Sequence, residues 1–406
     1  MTLDPVVQFL TGRVEPGAVQ REALAEAHRV ARRWLGEEYD LDALNAVLAT
    51  AAVERLDGDP LWLLVISGSG NAKTETVQAL SGAGALVTST ISSDGALLSA
   101  SPQREKAKDA TGGLLRRIGS TGVLVIKDVT SILSANRDAR ATVLAALREV
   151  YDGHWERNVG TDGGRTLTWT GRLAVIGAVT TAWDQAHDVI ATMGDRFVLL
   201  RMDSTQGRQA SGRRAIANTG DEPQMRAELA AAVGGVLGSI DSGSGIRLVD
   251  DERDRLLAAA DVVTLARTGV IYDYRGDVVD AHAPEMPTRF AKQLAQVARG
   301  AMAIGMDRPD ALALALRCAR DSMPPLRMAI LLDVAAHPDS RTAEVRRRLG
   351  KPRSTVDRQL QALHMLGVLE LSEVELPDNK TAWLYSAANG IDASILKPPN
   401  EKASET

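Results

Sequence analysis

Leu61-Trp-Leu-Leu-Val-Ile-Ser-Gly-Ser-Gly-Asn-Ala-Lys-Thr74 is the stretch whose reading decides the fold. Its first six residues form an uninterrupted apolar run, as a strand covered on both faces requires. Ser67–Gly70 breaks the run, and the residues from Lys73 to Leu80 favour a helix. Strand, glycine-rich turn and helix together are the context of a phosphate-binding loop. Backbone N–H groups and the helix N-terminus make a positive concavity, a lysine reaches the terminal phosphates, and a hydroxyl ligates Mg²⁺. Gly68, Ser69, Gly70, Asn71, Ala72, Lys73 and Thr74 are the expected cofactor-binding residues, with ATP and Mg²⁺ as the expected cofactors. Measured against G-x-x-x-x-G-K-[ST], Ser67 and Ala72 stand where the outer glycines belong. A Gly/Ser-rich strand–helix turn with a chance Lys-Thr pair is therefore the competing reading.

Similar apolar runs follow at Gly122–Ile126, Leu173–Val179 and Phe197–Leu200, separated by helical segments. That alternation predicts an α/β core: a mostly parallel sheet with helices on both faces. The second run leads into Lys127-Asp128. A carboxylate at the carboxyl end of a neighbouring parallel strand is placed to orient Mg²⁺ beside a phosphate loop; capping of the next turn is the plainer role for Asp128. Upstream, Glu22–Leu35 and Leu41–Val53 show helical spacing and Asp57-Gly-Asp-Pro60 a turn. Ser204–Asn218, rich in Gly, Ser and Arg, reads as a loop. Beyond it only helices are evident: Glu222–Leu237, Asp250–Ala266, Thr288–Ile304 and Arg308–Arg320.

The 406 residues carry 47 Lys+Arg against 52 Asp+Glu, a net charge of −5, with 45% apolar and 24% charged residues, the balance of an ordinary globular protein. No apolar run reaches the length of about 18 residues that a membrane helix needs. The first residues show no basic stretch ahead of an apolar one, so no secretory signal is expected and a cytoplasmic location is the default. The single cysteine, Cys318, excludes an internal disulfide, a cysteine-based zinc site and an iron–sulfur cluster. Aromatics at 3% argue against a surface that holds single strands mainly by base stacking.

Residues 326–387 read as a winged helix. Leu326–Ala336 and Arg341–Leu349 are its first two helices, and Ser354-Thr-Val-Asp357 has the form of a capping box opening the third, with Ser354 as N-cap. The alternating Val368–Leu376 and the return Thr381–Ser386 make the wing. Between Arg341 and Arg358 seven bases face two acids, a local charge of +5. Arg353, Ser354, Thr355 and Arg358 are placed for DNA bases and phosphates, and Lys380 at the wing tip for the backbone. An acidic wing (Glu370, Glu373, Glu375, Asp378) suits protein contacts instead.

Several short matches in one order give the chain a resemblance to AAA+ ATPases, and among them to the minichromosome-maintenance (MCM) helicases and their relatives in phages and mobile elements. Ala72 before Lys73 matches that family's phosphate loop. A helix, Ala139–Val150, and a hairpin, Trp155–Trp169 with its tip at Asp162-Gly-Gly-Arg165, follow the Asp128 strand. In the family such a hairpin grips DNA in the pore of a hexamer, which implies phosphate contacts for Arg157 and Arg165. Thr180 matches the polar residue that senses the γ-phosphate, Arg196 in Gly194-Asp-Arg-Phe197 the arginine finger, and Arg289 in Pro287-Thr-Arg-Phe290 the second sensor arginine. The implied division is an N-terminal helical region (1–56), an AAA+ core (57–203), a helical lid (204–323), the winged helix (324–388) and a tail (389–406). The implied activity is an ATP-driven, ring-forming DNA helicase or replication initiator of a phage or mobile element, with DNA and further copies of the chain as partners. The family's zinc-bearing N-terminal region has no counterpart here, and Lys127-Asp128 replaces its Asp-Glu pair. A nucleotide-gated DNA-binding regulator with little turnover is the alternative.

Overall fold

The computed structural model describes residues 17–100, 111–160, 163–184, 196–205, 207–241, 245–375 and 381–398. They group into two compact units. One comprises the chain up to 185 with 196–247 and 296–314; the other comprises 248–295 and the chain from 315 onward.

In the first unit the apolar runs become strands β1 (Trp62–Ile66), β2 (Leu86–Thr88) and β3 (Thr121–Ile126), an antiparallel pair β4 (His154–Val159) and β5 (Arg165–Thr170), then β6 (Arg172–Val179) and β7 (Val198–Arg201). Five of them form one parallel sheet in the order β2-β3-β6-β1-β7. Every residue of β1, and of β6 beyond Arg172, is buried, which explains why these strands read as unbroken apolar runs. Helices α1 (Ala18–Leu35), α2 (Leu41–Ala52), α3 (Lys73–Gln78), α4 (Arg137–Tyr151), α5 (Arg208–Ala217) and α6 (Glu222–Gly238) accompany the sheet. The α2 helix, buried from Ala43 onward, packs on β1, β6 and β7. At the amino edge of the sheet Trp62 meets Tyr151 edge-on at 5.3 Å and Phe197 at 5.2 Å, and its indole donates to the Leu173 carbonyl.

Three sequence expectations change here. The strand bearing Asp128 is not a direct neighbour of β1, because β6 lies between them. An additional edge strand, β2, is only three residues long and half-buried, too short for an apolar pattern to reveal it. Ser204–Asn218 is not a loop throughout: Arg208–Ala217 is helical although none of its residues is buried. The reason is tertiary. Arg214 and Asn218 donate to the carbonyls of Arg33 and Trp34, both at 2.9 Å, so α5 is held against the otherwise unsatisfied C-terminus of α1.

The second unit contains α7 (Asp250–Arg267) and a hairpin of β8 (Val270–Tyr272) and β9 (Val278–Ala281), where only helices were expected. Helices α8 (Thr288–Ala303) and α9 (Arg308–Asp321) contribute residues to both units. Then come α10 (Pro325–Ala336), α11 (Thr342–Leu349), α12 (Arg353–Met365) and the antiparallel pair β10 (Leu369–Glu375) and β11 (Thr381–Ala387). Ser340, between α10 and α11, bridges to Tyr385 as a short third strand. Gly350 ends α11 with φ of +62°. The expected Ser354 cap is not formed: Pro352 precedes the first turn of α12 and its fixed φ starts the helix two residues earlier. Asp357 instead accepts from Thr342 and Gln361. Arg327 of α10, only 4% exposed, donates to the last carbonyls of α7 (Ala266 at 2.8 Å, Thr268 at 2.7 Å) and to Gln359 of α12.

Candidate functional site

At the carboxyl edge of β1 the chain turns through Ser67–Ala72 into α3. Gly70 takes φ of +81°, and so, less usually, does Ala72 at +54°. An L-residue there carries strain of about 1–2 kcal/mol. The two left-handed residues turn the chain from β1 into α3, the kind of turn in which successive amides can meet an anion. Lys73 folds back over the loop, its ammonium 3.0 Å from the Gly68 carbonyl. Burial lowers the Lys73 pKa, and the Asp128 carboxylate opposes that shift. Lysine and acid thus follow the carboxyl ends of β1 and β3, with β6 between them. Ser69 and Asn71 are on the rim, with Asn71 donating to the Asp203 carbonyl beyond β7.

Gly177 of β6 explains how Asp128 comes to this edge. A Cβ there would lie 2.6 Å from a methyl of Val129, so only glycine lets the Asp128-Val129 turn close over the strand. The Val129 N–H donates to the Ala178 carbonyl at 2.9 Å. Asp128 itself is exposed. Thr180, at the end of β6, has its N–H bonded to the Thr130 hydroxyl at 3.1 Å, and the two threonine hydroxyls are 3.3 Å apart. Ser131 continues this row of hydroxyls to Thr90. Thr130 was missing from the sequence reading, since nothing but the sheet order brings it to Thr180.

A cleft of about 390 Å³ opens beside the loop. Gly70–Glu75 form one wall. Trp34 of α1, Tyr39 and Asp40 after it, Met202 after β7, and Arg214 of α5 with its C-cap Asn218 form the others. The volume lies within the range of about 300–1,000 Å³ typical of small-molecule sites. Tyr39 anchors the wall to α3 by a 2.7 Å hydrogen bond with Thr76, and burial pushes its phenol well above the ordinary range. Residues separated by more than a hundred positions meet here, so local sequence pattern held no signal for them. Among the described residues no group of three or more His, Cys, Asp or Glu side chains is placed to hold a metal. Mg²⁺ would therefore rely on Thr74, Asp128 and oxygens supplied by a nucleotide, as such sites commonly do.

The other candidates lie apart from this edge. Arg196 precedes β7 at the amino edge of the sheet, where Leu63 pairs with Val198. It stacks on Tyr151 and pairs with Asp152 at 3.4 Å. The five residues of β1 separate it from its own chain's loop by about 16 Å. Arg289 is in the second unit, 3.6 Å from Glu285. On the β4–β5 hairpin Arg157 turns inward and spends its guanidinium on Asp94 at 2.7 Å and the Leu98 carbonyl at 3.0 Å. Arg165 is exposed beside Gly163 and Gly164, whose φ values are +87° and +93°. Arg353, Ser354, Thr355 and Arg358 are all exposed at the start of α12. Lys380 and Asp162 lie outside the described residues.

No family model matches the chain, and no curated protein does. Among solved structures it is similar to the NrS-1 C-terminal region in its apo A form, over 93% of this chain and 80% of that one, at 8% identity and a TM-score of 0.27. At that score the likeness carries no argument. What the fold itself defines is a mixed α/β protein with a five-stranded parallel sheet flanked by helices, and among the described residues no helix is long and apolar enough to cross a membrane.

Proposed function

We propose that the chain is a P-loop ATPase of the AAA+ kind that acts as a ring-forming, MCM-like DNA motor, with residues 324–388 as a winged helix on duplex DNA. The observation that carries the proposal is geometric: Lys73 folds over a left-handed Gly70–Ala72 turn after β1, and Asp128 follows β3 at the same carboxyl edge. A lysine and a carboxylate at one edge of the sheet, with a cleft of about 390 Å³ beside the lysine, support a site for a metal-bound nucleotide. Carboxyl edges of parallel strands are where such sheets bind ligands. Lys73 would neutralise phosphate charge, Thr74 and Asp128 would hold the metal, and the Thr130–Thr180 hydroxyl pair would fix a polar group beside the terminal phosphate. Mg²⁺, when bound, supplies charge neutralisation between the phosphates. Arg196 would serve a neighbouring copy's site, which its distance from its own loop favours. On the hairpin, Arg165 would meet DNA while Arg157 braces it against Asp94.

A second reading, a nucleotide-gated DNA-binding switch, has one observation in its favour. Val129, which follows Asp128, is 5% exposed and apolar, so this turn offers a single carboxylate. Steady-state ATP hydrolysis with and without single-stranded and duplex DNA separates the two. DNA-stimulated turnover that collapses in Lys73→Ala and Asp128→Ala supports the motor. ATP binding that alters DNA affinity without turnover supports the switch.

A further inference from the structure

Helix α5 has no core of its own. None of its residues is buried, yet Ser211, Arg214, Ala215 and the C-cap Asn218 recur at helical spacing, so one face of the helix lines the cleft beside the Ser67–Ala72 turn. Short helices owe most of their stability to a face packed against something else. Two side chains hold α5 to the end of α1: Arg214 donates to the Arg33 carbonyl, and Asn218 through its Nδ2 to the Trp34 carbonyl, both at 2.9 Å. The rest of that face meets the cavity. Trp34, Met202 and Met225, each less than a tenth exposed, supply the apolar part of the lining. The indole N–H of Trp34 is already spent on Glu228 at 2.8 Å. All of these residues belong to the first unit.

The polar chemistry of this wall is mostly that of acceptors. Holding Nδ2 against the Trp34 carbonyl fixes the orientation of the Asn218 amide and leaves its Oδ1 as an acceptor with no partner among the described residues. Carboxylates of Glu38, Asp40 and Glu222 line the cleft on the sides of α1 and α6. Negative charge there disfavours phosphates, which leaves the phosphates of a nucleotide with Lys73 and the remainder with Asn218. We infer that the cleft holds the base against Trp34, Met202 and Met225, and that Asn218 Oδ1 selects adenine by accepting a hydrogen bond from its exocyclic amino group. Guanine and hypoxanthine present a carbonyl oxygen at that position, so two acceptors would face each other. Arg214, one turn earlier on the same face, keeps its remaining N–H groups for ribose or phosphate oxygens. This rests on the nucleotide site proposed above and adds the residue that chooses among nucleotides.

The test is displacement of a ribose-labelled fluorescent ADP from the full chain by ADP, IDP and GDP in the presence of Mg²⁺. IDP exchanges the amino group of ADP for a carbonyl oxygen in a base of nearly the same shape. The variants are Asn218→Leu, which offers no acceptor, and Asn218→Ser, whose hydroxyl donates as readily as it accepts. Wild type is expected to prefer ADP to IDP by about 10-fold or more, and both variants to bring the ratio to within about 2-fold. A ratio taken within one variant is insensitive to loosening of α5, which would weaken every nucleotide alike. Equal affinity of wild type for ADP and IDP, a preference for IDP or GDP, or a preference for ADP that survives in either variant overturns the role of Asn218 and leaves the nucleotide site standing. Absence of displaceable binding in wild type, or binding that Lys73→Ala leaves unchanged, overturns the nucleotide site and the selection with it.

Discussion

Ala72 shows what a single residue costs and returns in this loop. Its φ of +54° puts an alanine where glycine is comfortable, at a strain of about 1–2 kcal/mol. Replacement by glycine relieves that strain but frees the unfolded chain, at a cost of about 0.4–1 kcal/mol. Ala72→Gly is therefore expected to raise the unfolding free energy by about 1 kcal/mol in urea titration; a loss of stability would mean that the left-handed turn is not the resting shape of the loop. At the opposite edge of the sheet Glu54 is a second informative residue. Burial raises its carboxyl pKa to about 7, against the partial opposition of Arg172 at 3.7 Å. Arg172 is largely spent on carbonyls, including those of Val53 and Gly58. The folded state holds this proton more tightly than the unfolded one, whose value is 4.5. The contribution of Glu54 is thus complete at low pH and declines as pH rises from 4.5 through about 7. The urea midpoint should fall across that window and Glu54→Gln should flatten the fall; an unchanged slope would show that Glu54 titrates normally.

At the scale of elements, buried donors do what apolar patterning cannot. Arg327 joins α7, α10 and α12 by satisfying two carbonyls at the end of α7 and one side chain on α12. Methionine would fill similar volume but leave those carbonyls without donors. Arg327→Met should destabilise the second unit by about 3 kcal/mol, with Arg327→Lys recovering only part, and a calorimetric melt unchanged by either would refute the account. The same principle accounts for α5. A segment rich in glycine, serine and arginine becomes helical because Arg214 and Asn218 complete the end of α1, and in doing so it closes the cleft beside the Ser67–Ala72 turn. Thr130 belongs with these elements as well. Thr130→Val removes the acceptor of the Thr180 N–H; if the chain is the ATPase proposed above, the variant is expected to lower the rate of ATP turnover while leaving nucleotide affinity near that of wild type. Equal losses in rate and affinity would show that the pair merely supports the fold.

For the whole molecule, the decisive distance lies between the two edges of the sheet. Lys73 follows the carboxyl edge and Arg196 precedes the amino edge, so in the function proposed above Arg196 would act at the nucleotide of another copy. On that proposal, mixing Lys73→Ala with Arg196→Ala should restore part of the turnover that each variant is expected to lack alone, because some interfaces in the mixture would hold an intact lysine and an intact arginine. Additive inactivity in the mixture would confine Arg196 to its stacking on Tyr151. The sequence by itself determined the elements that local physics controls. These are the two-sided burial of β1 and β6, the glycine-rich turn into α3, the hairpin around Gly163-Gly164, and the three helices and strand pair near the C-terminus. Each is written in residues close together in the chain. Only the tertiary structure decided that β6 separates the lysine's strand from the acid's, that Tyr39 and α5 wall the cleft, and that Arg157 faces inward to Asp94. Those placements depend on contacts between residues tens to nearly two hundred positions apart, which hydrophobic periodicity and turn chemistry, acting over a few residues, do not encode.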